Sequence, residues 1–380
     1  MKSVYIVDDS IISPLGFSVE ENLQNLKNNT TGIVEVKDTS IHTDSFYGGL
    51  IDEKRLTDAW DALSEIASYT KLEKMMLLAM QRLLDKNPQL DITRCGVLIS
   101  TTKGNIDQLK ENNTDRAYLD TLASAIQQFY KLGNSPTIIS NACISGGLAI
   151  AIAKRMIQAG HYEDVIVVGG DLLSEFTLSG FFSFQAVSPK PCKPFSKNRT
   201  GISLGEAAAA TWISGSIKNT NISEVVEVVG EASANDANHI SGPSRTGEGL
   251  YLSIQRALDE AKVSASDIDY ISAHGTATPF NDEMESIAFS RSGLEDIPVN
   301  SLKGYYGHTL GASALLETII AKHHLLANEV VCSLGFDELG VSYPIDVIKK
   351  NKAIAMQHVL KTASGFGGCN VALVLKKVSI

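Results

Sequence analysis

Short apolar runs alternate with stretches of helical periodicity from one end of this chain to the other, and that alternation confines it to the α/β class. The strand candidates are SVYIV, CGVLIS, PTIIS, DVIVVGG, EVVEVVG, DYISA, IPVNS and NVALVL. Between them lie KLEKMMLLAMQRLLDK and LYLSIQRALDEAK, whose apolar residues recur at helical spacing. Strands this apolar are expected to be buried on both faces, in mainly parallel sheets.

The pattern also repeats coarsely. PTIISNACISGGLAIAIAKRMIQAG reads as strand, tight turn and small-residue helix, and IPVNSLKGYYGHTLGASALLETIIAKHHL reads the same way. A glycine-preceded strand follows each, GEAAAATWIS and then GGCNVALVLK. Two similar halves are therefore expected, residues 1–215 and 216–380, with both strand-to-helix turns at their interface. No Pro/Gly/Ser-rich linker separates them, so the halves should be closely packed.

Bulk properties narrow the function. The net charge of −10 argues against nucleic acid or an anionic membrane as the main partner. No apolar run is long enough to span a bilayer, and MKSVYIVDDS does not read as a signal peptide. Cys95, Cys143, Cys192, Cys332 and Cys369 are odd in number and scattered, which points to a reducing cytoplasm rather than a disulfide framework.

Three residues carry candidate chemistry. Cys143, in SNACISGG, sits between a strand and a helix, where unpaired N–H groups and the helix end favour a thiolate; a buried structural cysteine is the alternative. His274, in DYISAHGTATPFND, lies just past a strand, where open α/β sheets place their sites. Thr276 and Thr278 alternate from it and offer hydroxyls to a polar ligand arm. His308 lies at a turn into a helix in NSLKGYYGHTLGAS, and a satisfied core histidine is the alternative for both imidazoles. Lys303 and Glu317 form a candidate ion pair for the same interior. The glycines of ASGFGGCN can aim N–H groups at an oxyanion. No Cys/His pair has metal-ligand spacing, so no metal is expected.

NACISGG, HGTATPFNDEMES, KGYYGHTLGASALLE and SGFGGCN, in that order, resemble the four signatures of the elongating β-ketoacyl-acyl carrier protein synthases of the thiolase superfamily. The resemblance implies a five-layered αβαβα fold of two similar halves, working as a homodimer or heterodimer. It implies decarboxylative Claisen condensation with Cys143 as nucleophile and His274 and His308 hydrogen-bonding the malonyl thioester carbonyl. In that scheme the N–H groups of Cys143 and Phe366 form the oxyanion hole, and Phe366 gates the acyl pocket. Lys303 and Glu317 support the second histidine, and Thr276 and Thr278 hold the phosphopantetheine arm. No diffusible cofactor is implied. The partner is acyl carrier protein, which is acidic, so a local basic patch is expected from Lys71, Lys74 and Lys190.

The chain departs from the family at Ser145, Ser196, Ser364 and Cys369, and its GFFSFQAVSPKPCKPFS and Thr101–Ser140 segments are abbreviated. These changes bear on the acyl substrate, and fit specialised polyene, aryl-lipid or polyketide assembly as well as fatty acid synthesis. A non-catalytic chain-length factor is the alternative function, although such subunits usually lack the nucleophile. A degradative thiolase is a further rival, because Cys369 lies in the last glycine cluster.

Overall fold

The computed structural model describes residues 2–64, 68–111, 113–217, 223–236 and 242–380. Among these residues eleven strands form one continuous sheet with an internal repeat. In the first half the order is Tyr5–Ile12, Ala207–Ser214, Asp164–Asp171, Gly96–Ser100, Thr137–Ile139. In the second it is Glu224–Asn235, Cys369–Ser379, His358–Gly365, Tyr270–Ser272, Pro298–Asn300, with Asp346–Val347 added at the edge. Successive pairings run antiparallel, antiparallel, parallel, parallel in both halves. The halves join where Tyr5 faces Glu227 and Ile6 faces Val226.

The sheets are thus mixed, not mainly parallel as the apolar strands suggested. The short loop 366–368 between His358–Gly365 and Cys369–Ser379 is a hairpin, and a hairpin imposes antiparallel pairing. Gly367 and Gly368 supply its positive φ angles, +88° and +78°.

Two helices form the central layer, Ser145–Gln158 from the first half and Ser313–Ala327 from the second. They touch at Gly146, where a Cβ would stand 2.5 Å from the Leu315 backbone nitrogen. Strand alternation then sets the layers. Val165 and Val167 join the core around the central helices, while Ile166 and Val168 face the outer helix Lys71–Lys86. In the second half Val371, Leu373 and Leu375 face the centre, and Ala372 and Val374 face the outer helix Glu248–Ala261. Five layers follow from this inward and outward alternation. The helix Lys71–Lys86 matches its sequence expectation and begins at a reciprocal cap between Thr70 and Glu73.

The first strand runs through Asp8 and Asp9, where the sequence suggested an end. Asp9 is buried but accepts from Lys322 at 2.7 Å and pairs with His323 at 2.8 Å, both on the second central helix. Burial alone would raise its pKa; these two partners overturn that and hold it below the usual carboxylate range. No helix among the described residues is long and apolar enough to cross a membrane.

Candidate active site

The nucleophile turn joins the strand Thr137–Ile139 to the first central helix. Ala142 takes φ +44°, a left-handed conformation that costs a side-chain-bearing residue about 1–2 kcal/mol. Ser145 ties this turn: its hydroxyl accepts from the Asn141 N–H at 2.8 Å and donates to the Ala142 carbonyl at 2.6 Å. The hairpin lies directly against it. A Cβ at Gly365 would stand 3.1 Å from both the Cys143 nitrogen and the Ala142 Cβ, so the close approach depends on glycine.

Cys143 is buried, and burial pushes its thiol up to about 11, against the pull of Lys303, Lys103 and the Phe366 N–H. The thiolate that the turn is expected to favour is thus opposed by the loss of solvation on burial. The Phe366 N–H lies beside the Cys143 sulfur and favours its charged form.

His274 follows the strand Tyr270–Ser272, and its turn is fixed by two buried carboxylates of the helix Pro279–Arg291. Glu285 accepts from the N–H groups of His274 at 2.8 Å and Gly275 at 2.7 Å. Asp282 accepts from Thr276 at 2.9 Å and Ala277 at 3.1 Å. Burial raises their pKa values to about 7 and about 6. Both acids stand in HGTATPFNDEMES, and their spacing, one helical turn apart just after the histidine, is the signal in the sequence that marks them.

Lys303 donates to Glu317 at 2.8 Å, as expected of the pair, but its ammonium lies 3.1 Å from Nδ1 of His274. Its direct contact is thus with the first histidine, because the turn at 301–303 folds back beneath the His274 carbonyl, which also accepts from it at 2.7 Å, while on His308 it acts through its charge. An ammonium can only donate, so Nδ1 accepts and Nε2 carries the imidazole hydrogen. Both ring nitrogens of His308 lack a hydrogen-bond partner among the described residues, although the residue is buried. Burial, then Lys303, drives both imidazoles well below their ordinary pKa, so both are neutral. Their rings meet edge-on at 5.2 Å.

Ligating atoms of Cys143, His274 and His308 lie within 4.8 Å of one another. The fold thus brings together donors that sequence spacing kept apart, close enough for a metal ion. The chemistry of the set suits an anion better. His274 Nε2 is protonated, and Lys303 and Lys361 share the single carboxylate of Glu317 behind it.

The three residues open into a cavity of about 240 Å3 walled by Phe181, Phe184, Phe280 and Phe366, with Thr276 and Thr278 among its polar residues. The two threonine hydroxyls are 2.8 Å apart. The Phe366 ring is 38% exposed and lies 5.3 Å from both Phe181 and Phe184. Ser364 also lines the cavity and donates to Asn370. Cys369 is not part of the wall, and burial raises its thiol to about 12. Ser196 donates to Asp337 at 2.8 Å, away from the nucleophile.

The three carrier-docking lysines are not brought together at the mouth. Lys71 is consumed by ion pairs with buried Glu206, at 2.7 Å, and with Glu53, because the Glu206 carboxylate needs a counterion. Lys74 lies 5.8 Å over the Trp60 ring on the outer helix. Neither borders the cavity, whereas Lys190 is exposed and shortly follows Ala186 of its wall.

Known proteins agree with this fold. Residues 1–215 match the N-terminal domain of β-ketoacyl synthases, and residues 225–337 match the C-terminal domain. The chain belongs to the β-ketoacyl synthase family, and is thereby an acyltransferase of the condensing kind. It is 30% identical to a chain of Schizosaccharomyces pombe provisionally assigned as a mitochondrial 3-oxoacyl-[acyl-carrier-protein] synthase, over 99% of each. It is 25% identical to 3-oxoacyl-[acyl-carrier-protein] synthase 2 of Vibrio harveyi, over 100% of this chain and 99% of that one. A β-ketoacyl synthase of Burkholderia phymatum superposes with a TM-score of 0.88 over the whole of both chains at 25% identity. A Xenorhabdus doucetiae ketosynthase, solved in complex with its chain length factor, superposes with a TM-score of 0.87 at 24% identity, over 99% of this chain and 98% of that one.

Proposed function

We propose that this chain condenses an acyl thioester with malonyl-acyl carrier protein, giving a 3-oxoacyl-acyl carrier protein and carbon dioxide. The observation that carries this is the meeting of a buried thiol and two neutral imidazoles within 4.8 Å at one cavity. The Cys143 sulfur attacks the acyl thioester carbon, and the carrier sulfur leaves as its thiol, taking up the proton that the Cys143 thiol gives up. In the second half-reaction the malonyl carboxylate is lost as carbon dioxide. The Nε2–H of His274 and an N–H of His308 then stabilise the enolate oxygen. The enolate carbon attacks the acyl-cysteine and expels the Cys143 sulfur, which recovers a proton. No metal or diffusible cofactor enters this scheme. Mass spectrometry after incubation with an acyl-carrier substrate should show an acyl group on Cys143, discharged as 3-oxoacyl product when malonyl-carrier is added. Absence of the adduct across a donor panel defeats the proposal.

A chain-length factor has no need of this triad, and the thiolase reading loses support because Cys369 does not face the cavity. Five free, buried cysteines suit a reducing cytoplasm. The neighbour solved with a chain length factor supports a dimer here, either of two copies or with a related subunit, and native mass measurement separates the two.

Phe366 is the gate in this reading, since Gly365 and Gly367 flank it and its ring leans on two others at the mouth. Phe366→Ala should shift acyl-chain selectivity while leaving malonyl decarboxylation within about threefold. An unaltered donor profile removes the gating role. For the carrier, Lys190→Glu should raise KM several-fold for carrier-bound substrates, through slower encounter. Short pantetheine mimics should be turned over as before, and equal damage to both substrates would place docking elsewhere.

A further inference from the structure

The condensation scheme accounts for Lys303 and Glu317 but not for a second lysine at the same carboxylate. Lys361 lies on the strand His358–Gly365, is 1% exposed, and donates to Glu317 Oε2 at 2.7 Å. It also donates to the carbonyls of Thr362 at 2.7 Å, Ser272 at 3.2 Å and Ala273 at 3.4 Å. Ser272 and Ala273 are the residues that lead into His274. Building on the proposed condensation, we infer that Lys361 is a positioning residue that braces the approach to His274 and leaves an excess positive charge behind it.

The physical case rests on charge balance. Glu317 receives Lys303 on one oxygen and Lys361 on the other, so two buried ammonium groups share one carboxylate. A second ammonium on one buried carboxylate is unfavourable in the resting protein: burial lowers the Lys361 pKa, and Glu285, whose own pKa burial raises to about 7, offsets that cost only in part. The excess charge becomes favourable when negative charge develops on a substrate oxygen beside His274, because the cation is already in place and needs no reorganisation. The other charged and titratable groups facing this cluster are Glu285, His274, His308, Tyr270 and Tyr306, with Asp282 beside Glu285 and with Cys143 and Lys103 beyond His308. Glu285 already accepts two backbone N–H groups. Lys361 and Lys303 both act on the two imidazoles to keep them neutral. Their contacts differ: Lys303 touches His274 directly, whereas Lys361 reaches it only through Glu317 and the strand. Removing Lys361 therefore withdraws charge without removing the Nδ1 partner.

The test is the pH profile of malonyl-carrier decarboxylation by the intact enzyme and by Lys361→Met and Lys361→Arg. Rates are normalised to active sites counted by acylation of Cys143. Lys361→Met should lower kcat about tenfold with little change in KM, and move the acidic limb up by about one pH unit as the imidazoles become easier to protonate. Lys361→Arg should restore both. Should the methionine variant not fold, Lys361→Gln removes the charge while keeping a donor. A fall in rate with an unmoved acidic limb would mean that Lys361 serves packing alone, and an unchanged rate would remove it from the mechanism. An unmodified enzyme that releases no carbon dioxide defeats the proposed condensation itself, a separate result.

Discussion

Cys143→Ala should abolish condensation, by a factor of about 10⁴ or more, yet continue to release carbon dioxide from malonyl-carrier. The two outcomes separate because the two half-reactions use different atoms. Acyl transfer needs a sulfur nucleophile, and among the described residues that line the cavity Cys143 alone carries a thiol. Decarboxylation needs hydrogen-bond donors at the thioester oxygen, and His274 and His308 are untouched by the substitution. The Ala142–Ser145 hydrogen bond that shapes the turn does not involve the cysteine side chain, so the backbone should keep its course. Parallel assays of product and of released carbon dioxide decide the point. Normal condensation by the variant, or complete loss of decarboxylation, would contradict this division of labour.

Much of the architecture was legible because apolar periodicity and small-residue turns are local. The two strand–turn–helix units read from the sequence occupy equivalent places in the halves, at Thr137–Gln158 and Pro298–Ala327. The strand His358–Gly365 escaped notice because Lys361, Thr362 and Ser364 interrupt its apolar residues. Lys361 is satisfied by Glu317, Ser272 and Ala273, which are far away in sequence, and Ser364 by Asn370 across the hairpin, while the Thr362 hydroxyl has no partner among the described residues. The continuation of the first strand through Asp9 was hidden for the same reason, as its counterions arrive from residues 322 and 323. Cys143, His274 and His308 stood out through their turns and motifs. Which histidine Lys303 touches could not be read from spacing, because the answer depends on how the turn at 301–303 packs under His274. Lys71 misled in the opposite way: a lysine at the start of an amphipathic helix looks like surface charge, and only the fold places Glu206 beneath it.

His308→Ala should still accept an acyl group on Cys143 but decarboxylate malonyl-carrier about 10²–10³-fold more slowly, the usual cost of one oxyanion donor. Its ring nitrogens have no partner among the described residues, so truncation strands no protein group. The same isolation gives the variant a signature in stability. His308 is buried and neutral, with its pKa driven well below 6.5 by burial and by Lys303. The unfolded chain protonates this histidine below about pH 6.5, whereas the folded chain does not. The unfolded state therefore binds more protons there, and stability falls as pH falls, by up to about 1.4 kcal/mol per pH unit for each such histidine. Above pH 6.5 the contribution is fully present. His308→Ala deletes that dependence, so its urea midpoint should fall less steeply than that of the unmodified protein between about pH 6.5 and pH 5. His274 keeps its own share of the slope in both proteins. Decarboxylation by the unmodified enzyme should correspondingly hold its rate through pH 6.5, since neither imidazole has begun to protonate. An acidic limb centred near 6.5, or identical pH slopes for the two proteins, would show that His308 is solvated and not the buried donor that the cavity geometry requires.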